Sequence, residues 1–266
     1  MRIAFFPGCT APVKTQEYEL STRRVTEELG IELVDLPFSC CGFPLRQVNQ
    51  WGSICLSAYN LALAEKEGLN VVCLCSACRN TLENALKAVE DSKSKNQLFK
   101  MNIKLEGRVR VKHFVDLLYN DIGINRIKSS IKKPLSLKVV LHPGCHFLRS
   151  GKQASREKLK ALVEALGLKV LDYPGEDHCC GGALLAAKPD LAYKIAGLKL
   201  KNMFKSKPDA AVVICPFCGL MLKSLQDVVA SEAGLKERLP VYYYPQLLGL
   251  ALGIPPKQLG VEEVFK

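Results

Sequence analysis

Apolar residues along this chain fall into two alternating patterns. Short apolar runs at residues 3–6, 31–36, 70–74 and 109–113, and again at 139–142, 168–173, 210–214 and 241–244, are too brief for helices and predict strands. Between them the apolar positions recur three and four apart. Tyr18, Val25 and Leu29 lie on one face before Gly30, and Leu159, Leu162, Val163 and Leu166 do the same before Gly167, each glycine standing where a helix stops. Further helices are predicted over 54–67 and 191–204, and a last strand–helix pair closes each half. Alternation of this kind specifies an α/β fold, a mainly parallel sheet flanked by helices. The apolar stripes themselves read as core and need no functional explanation.

The cysteines show that the pattern is written twice. Cys9, the pair Cys40-Cys41 and Cys75-x-x-Cys78 are followed by Cys145, the pair Cys179-Cys180 and Cys215-x-x-Cys218, at displacements of 136, 139 and 140 residues. Drift that small over so long a repeat marks a duplication with a few small insertions. The flanks agree: Phe6-Pro7-Gly8-Cys9 matches His142-Pro143-Gly144-Cys145, and Val34-Asp35-Leu36-Pro37 matches Leu171-Asp172-Tyr173-Pro174. The expected architecture is two duplicated, pseudo-symmetric domains, residues 1–130 and 131–266, joined through the basic, proline-containing stretch 128–136.

Composition narrows the function. The chain has 266 residues, 48% hydrophobic and 24% charged, as in ordinary globular proteins. The longest apolar candidate, 247–254, ends in Pro255-Pro256 and is well short of the roughly 18 residues that cross a bilayer. The opening MRIAFFPGC has neither a long apolar region nor a small-residue cleavage site, so a cytoplasmic location with no membrane span is expected. In that setting twelve cysteines point to metal or redox chemistry in preference to disulfides. The 37 lysines and arginines against 26 aspartates and glutamates leave a net charge of +11, which suits an anionic substrate, an acidic partner or simply a solvated surface. Basic runs at 108–112, 126–138 and 194–207 lack the interleaved aromatics of a nucleic-acid surface, and no glycine-rich phosphate loop is present, so neither nucleic acid nor a bound flavin is expected.

All three cysteine groups of each half follow a predicted strand directly. In a parallel sheet the carboxyl ends lie along one edge, where open α/β sheets place their ligands, so five thiols converge in each half. Thiolates select zinc, copper(I) or iron–sulfur clusters. Structural zinc takes four tetrahedral ligands, and side chains of adjacent cysteines diverge too much to share one small tetrahedron easily. A cubane cluster often draws three cysteines from one tight run, which is absent here, so five per half suits an unusual cluster. Spacing favours iron–sulfur, with zinc or a dithiol redox pair as the other possibilities. Cys55 and Cys73 have no counterparts in the other half and read as packing residues. Among the histidines, His146 and His178 are the accessory candidates, able to hydrogen-bond a cluster sulfur or protonate a departing thiolate, while His113 and His142 read as structural. Gly181-Gly182 would let the backbone approach a cluster closely.

The pattern Cys9-x30-Cys40-Cys41-Gly42-x32-Cys75-x-x-Cys78, repeated with slightly longer intervals from Cys145 to Cys218, resembles the CCG-domain proteins and, within them, the B-type subunits of the heterodisulfide reductases. The likeness extends through Lys112-His113-Phe114, the stretch from Leu118 to Ile124, Gly144-Cys145-His146-Phe147-Leu148 and Cys215-Pro216-Phe217-Cys218. It implies two noncubane [4Fe–4S] clusters, one per repeat, held by Cys9, Cys40, Cys41, Cys75 and Cys78 and by Cys145, Cys179, Cys180, Cys215 and Cys218. It further implies a disulfide oxidoreductase that cleaves or forms a disulfide between two thiol coenzymes, coenzyme M and coenzyme B in methanogens. The partners implied are a small ferredoxin-like iron–sulfur subunit and a flavoprotein subunit. The alternative within the same family is an electron-transfer or adapter subunit of a lactate or glycolate, fumarate or sulfur-oxidation complex. A zinc scaffold without activity is the third possibility.

Overall fold

In the computed structural model, which describes residues 1–149 and 151–262, the predicted strands become two sheets of the same design. The first contains β1 (Arg2–Phe6), β2 (Glu32–Asp35), β3 (Val71–Cys73) and β4 (Val111–His113) in the order β2-β1-β3-β4. The second contains β5 (Lys138–His142), β6 (Lys169–Leu171), β7 (Ala210–Val213) and β8 (Val241–Tyr243) in the order β6-β5-β7-β8. All six pairings among the described residues are parallel. The inner strands are apolar almost throughout because helices cover them, as parallel sheets require. The duplicated α/β architecture expected from the sequence is therefore present.

Six of the eight strands are shorter than the apolar runs by one or two residues at an end, while β1 and β5 begin one residue earlier. Leu74 and Ile214 leave the ladder at the carboxyl edge yet stay fully buried, so burial alone extends the apolar signal beyond the hydrogen-bonded strand. The helices Gln16–Glu28 and Lys152–Glu164 bury the faces read from the sequence. The helix expected from 54 begins earlier, as Gln50–Lys66, because the Asn49 side chain accepts a hydrogen bond from Gly52 N–H at 2.8 Å and caps it. Its counterpart Pro189–Phe204 begins at a proline, which suits a first helical turn.

The stretch 128–136 is not a free linker. Its first residues finish the helix Ile124–Ser130, and the rest is tied down: Lys132 and Lys133 N–H both reach Ala251 O at 2.9 Å, and Leu135 N–H reaches Leu166 O at 2.8 Å. Its charge is also engaged, since Lys132 pairs with Glu28 at 2.6 Å.

The two halves meet at the carbonyls of Leu74 and Ile214, the residues immediately before Cys75 and Cys215. The Tyr18 hydroxyl lies 3.1 Å from Leu74 O and 3.0 Å from Ile214 O. From the other side His113 Nε2 lies 3.2 Å and 3.1 Å from the same two oxygens. His113 Nδ1 accepts from Val115 N–H at 3.2 Å, which puts the ring proton on Nε2. Burial holds His113 down to about 4, so the ring is neutral and this tautomer stands. Tyr18 stacks on Tyr243 of the second half with centroids 4.2 Å apart, and His113 packs on Phe147 at 5.0 Å. Lys223 to Glu17 at 3.0 Å and Lys158 to Asp116 at 2.8 Å add ion pairs across the seam.

Two buried donors serving two buried carbonyls predict a non-additive pair. Tyr18→Phe and His113→Phe should each lower stability by about 1 kcal/mol, because the remaining donor still serves both oxygens. The double variant strands both carbonyls and should lose more than the sum, about 1–3 kcal/mol for each stranded group. Urea midpoints of the three variants against the parent measure this, and simple additivity would show that the carbonyls find other donors.

Candidate metal centre

Each cysteine group enters from a strand end through a constrained turn. Gly42 and Gly181 follow the cysteine pairs with φ of 85° and 82°, a conformation L side chains rarely adopt. A Cβ at Gly42 would stand 2.8 Å from Ser53 O, and one at Gly181 only 2.6 Å from Ala192 O. The glycine of each Cys-Cys-Gly therefore lets the loop press against the following helix. In that position its own N–H donates to the first sulfur of the pair, Gly42 to Cys40 at 3.4 Å and Gly181 to Cys179 at 3.3 Å. Cys75 and Cys215 occupy the N-caps of the helices Ser76–Ala88 and Pro216–Gly219, where backbone N–H groups favour negative charge.

All twelve cysteines are free thiols. Cys9, Cys41, Cys75 and Cys78 line one small cavity of about 20 Å³, with Cys40 in the adjoining loop but not in its wall. Cys145, Cys179, Cys180, Cys215 and Cys218 all line a second of about 30 Å³. The cavities share Phe43, Ala77 and Phe217, so they are neighbours across the seam. Cys75 and Cys215 bear on each other's protonation there, one from each cavity. In the second set Cys145 Sγ is 3.9 Å from Cys179 Sγ, and Cys180 Sγ is 3.4 Å from Cys218 Sγ.

Sulfurs this close share protons. Hydrogen bonds from Cys40 and Cys78 pull Cys41 down to about 4, and the bond with Cys41 pushes Cys40 up. In the second half Cys179 is held down to about 2, chiefly by the hydrogen bond from Cys145, and Cys145 is pushed up by the same bond. Burial drives Cys73 upward and leaves it an inert core thiol in β3, while Cys55 packs against Met101 at 3.8 Å; neither lines a cysteine cavity.

Among the described residues, one group of three or more potential ligands has all its donor atoms within 4.8 Å of one another: His142, Cys180 and Cys218. Both ring nitrogens of His142 are buried without a well-formed hydrogen bond, with only an approach to the Glu176 backbone. Ser76, whose Oγ is likewise buried and unpartnered, lines the second cavity with Cys180 and Cys218, and His142 stands behind those two sulfurs. Orphaned donors beside thiols are the polar lining a metal–sulfur group needs. The donor set is thus consistent with iron–sulfur binding.

Of the accessory histidines, His146 lines the second cavity, edge-on to Phe43 with centroids 5.2 Å apart. Asn80 Nδ2 donates to His146 O at 3.0 Å and stands 3.4 Å from its Nδ1. His178 is exposed and lines neither cavity. His142, read from the sequence as structural, is the histidine that reaches the sulfurs. Its signal was available in the repeat itself, where histidine replaces Phe6 before Pro-Gly-Cys. Lys199, buried behind the second site, had no such local mark within its basic run.

Comparison with known proteins agrees with this construction. The family model for the cysteine-rich domain, CCG, matches twice, at residues 3–83 and 139–223. The chain is 31% identical over 278 residues to the B-type subunit of a ferredoxin/F420H2-dependent CoB–CoM heterodisulfide reductase from Methanosarcina acetivorans, covering 98% of this chain and 93% of that one. It is 35% identical to the membrane anchor subunit of an 8-methylmenaquinol:fumarate reductase from Wolinella succinogenes, covering 97% and 94%. A hypothetical protein from Helicobacter pylori shares the fold, with a TM-score of 0.81 at 16% identity over 99% of this chain and 52% of its own. With both domain copies matched and near full-length relatives, the chain belongs to the CCG cysteine-rich domain family and is a close homologue of the B-type subunits of heterodisulfide reductase.

Proposed function

We propose that this chain is the iron–sulfur catalytic subunit of a heterodisulfide reductase-like complex in the cytoplasm, its two domains dividing near residue 130. Family membership itself supports an oxidoreductase subunit with protein partners. The observation that carries the finer reading is that two cysteine-lined cavities, one with Cys75 in its wall and one with Cys215, adjoin at one seam and share Phe43, Ala77 and Phe217. Cys9, Cys40, Cys41, Cys75 and Cys78 would hold one four-iron cluster, and Cys145, Cys179, Cys180, Cys215 and Cys218 the other. A lone tetrahedral zinc, with Zn–S bonds of about 2.3 Å, needs four donors within about 4 Å of one another. Five cysteines, one more than such a zinc takes, line the second cavity, and that number suits a cluster with several metal atoms.

Splitting R–S–S–R′ takes up two electrons and two protons and leaves RSH and R′SH. Bound clusters would supply the electrons one at a time, fed by a small ferredoxin-like iron–sulfur partner and a flavoprotein partner. The chain's own residues do the positioning. Phe43 and Phe217 wall both cavities and exclude water from the seam. Asn80 sets His146 with Nδ1 as acceptor, leaving Nε2–H to donate a hydrogen bond to a departing thiolate. Arg46, Lys87 and Arg149 line a groove beside this site, and Arg46 and Arg149 both bear electrostatically on His146. They would hold anionic groups of the substrate.

The second reading is an electron-relay role, favoured by the 35% identity to a fumarate reductase component. Among the described residues no helix is long and apolar enough to cross a membrane.

Anaerobically purified protein should contain about eight irons and eight acid-labile sulfides with little zinc; about two zincs and no labile sulfide would refute the proposal. Cys180→Ser should lose the second cluster, keep the first and abolish disulfide reduction. Wild-type turnover in that variant would favour the relay. Arg46→Gln should raise KM for an anionic disulfide roughly tenfold with kcat little changed, the loss of one charge-assisted hydrogen bond. Steady-state kinetics with an uncharged disulfide as control checks this.

A further inference from the structure

The duplicated halves can be compared residue by residue at two independent points. Phe6 ends β1 opposite Cys73, two residues before Cys75, and His142 ends β5 opposite Val213, two residues before Cys215. The glycines of the two Cys-Cys-Gly turns press on Ser53 and Ala192, and seven residues beyond these contacts stand Asn60 and Lys199. Where the first half has a phenylalanine and an asparagine, the second has a histidine and a lysine.

Asn60 and Lys199 are both buried, at 1% and 3% exposure. Both hold the loop that leads into the cysteine pair. Asn60 Nδ2 donates to Cys40 O at 3.1 Å and to Leu56 O at 3.0 Å, and its Oδ1 accepts from Ser39 N–H at 2.8 Å. Lys199 Nζ donates to Gly175 O at 2.8 Å, with Glu176 O at 3.3 Å and Tyr173 Oη at 3.4 Å. Three oxygens match the three N–H donors of an ammonium. The loop from Pro174 to Cys179 is two residues longer than that from Pro37 to Cys40, which gives the longer side chain its room.

The lysine's charge is not cancelled by the acids around it. Asp172 and Glu176 are engaged by Arg156, and Asp177 by Lys152, so among the described residues Lys199 has no carboxylate partner. It does interact with Cys218, Cys180 and Cys179, and least of these four groups with Glu176, all opposing the downward pull of burial on its pKa. The first half has a buried cation of its own, Arg79, but that guanidinium is paired with Asp116 at 2.8 Å and Glu83 at 3.5 Å.

We infer that the two cysteine sites are electrostatically unequal, and that Lys199 and His142 hold the second at a higher reduction potential than the first. The inference rests on the reading of both as cluster sites. An unpaired buried cation favours the state with one more electron, and the His142 ring, within 4.8 Å of Cys180 and Cys218, sets a polar group beside the sulfurs where the first half has Phe6. Asn60 and Phe6 offer the first site neither. Lys199 and His142 are thus positioning residues that direct an arriving electron to the second half.

Potentiometric titration followed by EPR tests this on the anaerobic, iron-loaded full chain. The wild type should show two midpoints separated by at least tenfold in the reduction equilibrium, about 59 mV for one-electron couples. Cys41→Ser, which removes the first cluster, should keep the higher midpoint. Lys199→Met, similar in length but uncharged, should lower the higher midpoint at least tenfold and leave the other in place, while Lys199→Arg retains it. His142→Phe, which installs the first-half residue, should shift the same midpoint in the same direction and serves if the lysine variant loses iron. Coincident wild-type midpoints overturn the inference, as does a Lys199→Met protein with full iron and unchanged potentials, or one in which the lower midpoint moves. Absence of labile sulfide in the wild type overturns the cluster reading itself, a separate and prior result.

Discussion

Two backbone carbonyls, those of Leu74 and Ile214, face each other where the halves join, and everything about the site follows from their being satisfied there. Each lies immediately before the first cysteine of a Cys-x-x-Cys turn. Buried carbonyls without donors are costly, so a seam at this point requires donors that reach both. Tyr18 comes from one face and neutral His113 from the other, each spanning the two oxygens within 3.2 Å. That cross-brace joins the residues immediately before Cys75 and Cys215, beside which two cavities share Phe43, Ala77 and Phe217.

Duplication explains the geometry, and divergence after duplication explains the chemistry the geometry can do. The same strand order, the same left-handed glycine and the same N–H to sulfur bond recur in both halves. These are the features a cysteine set needs merely to converge. The side chains behind the sets did not stay the same. In the first half the loop before the pair is braced by a neutral amide, in the second by an ammonium with carbonyl and hydroxyl partners only. Two sites of one ancestry thus present different electric fields to whatever they bind.

Most of the fold was legible in the chain because it is written in local pattern. Short apolar runs, helical stripes and a repeat of about 140 residues specify strand–helix alternation twice over, and parallel pairing follows from that alternation. The ends of the elements were less legible, since Leu74 and Ile214 are as apolar as their strand neighbours yet pair with no strand. The stretch 128–136 misled for a related reason: its charge and proline suggest a linker, while the backbone contacts to Ala251 and Leu166 that anchor it come from residues far away in sequence.

The sequence by itself determined that ten cysteines in two matching sets stand at the carboxyl ends of strands, because spacing and strand order are properties of the chain. What only the tertiary structure decided is which other side chains meet them. Tyr18 lies nearly two hundred residues from Ile214, and Lys199 reaches the second site through a helix whose sequence is an ordinary mixture of lysine and leucine. His178, adjacent to a cysteine pair, points away, whereas His142, read as structural, lies within 4.8 Å of two sulfurs. Adjacency along the chain says little about direction once a turn intervenes. Direction is set by the packing of helices on sheets, which no local pattern records.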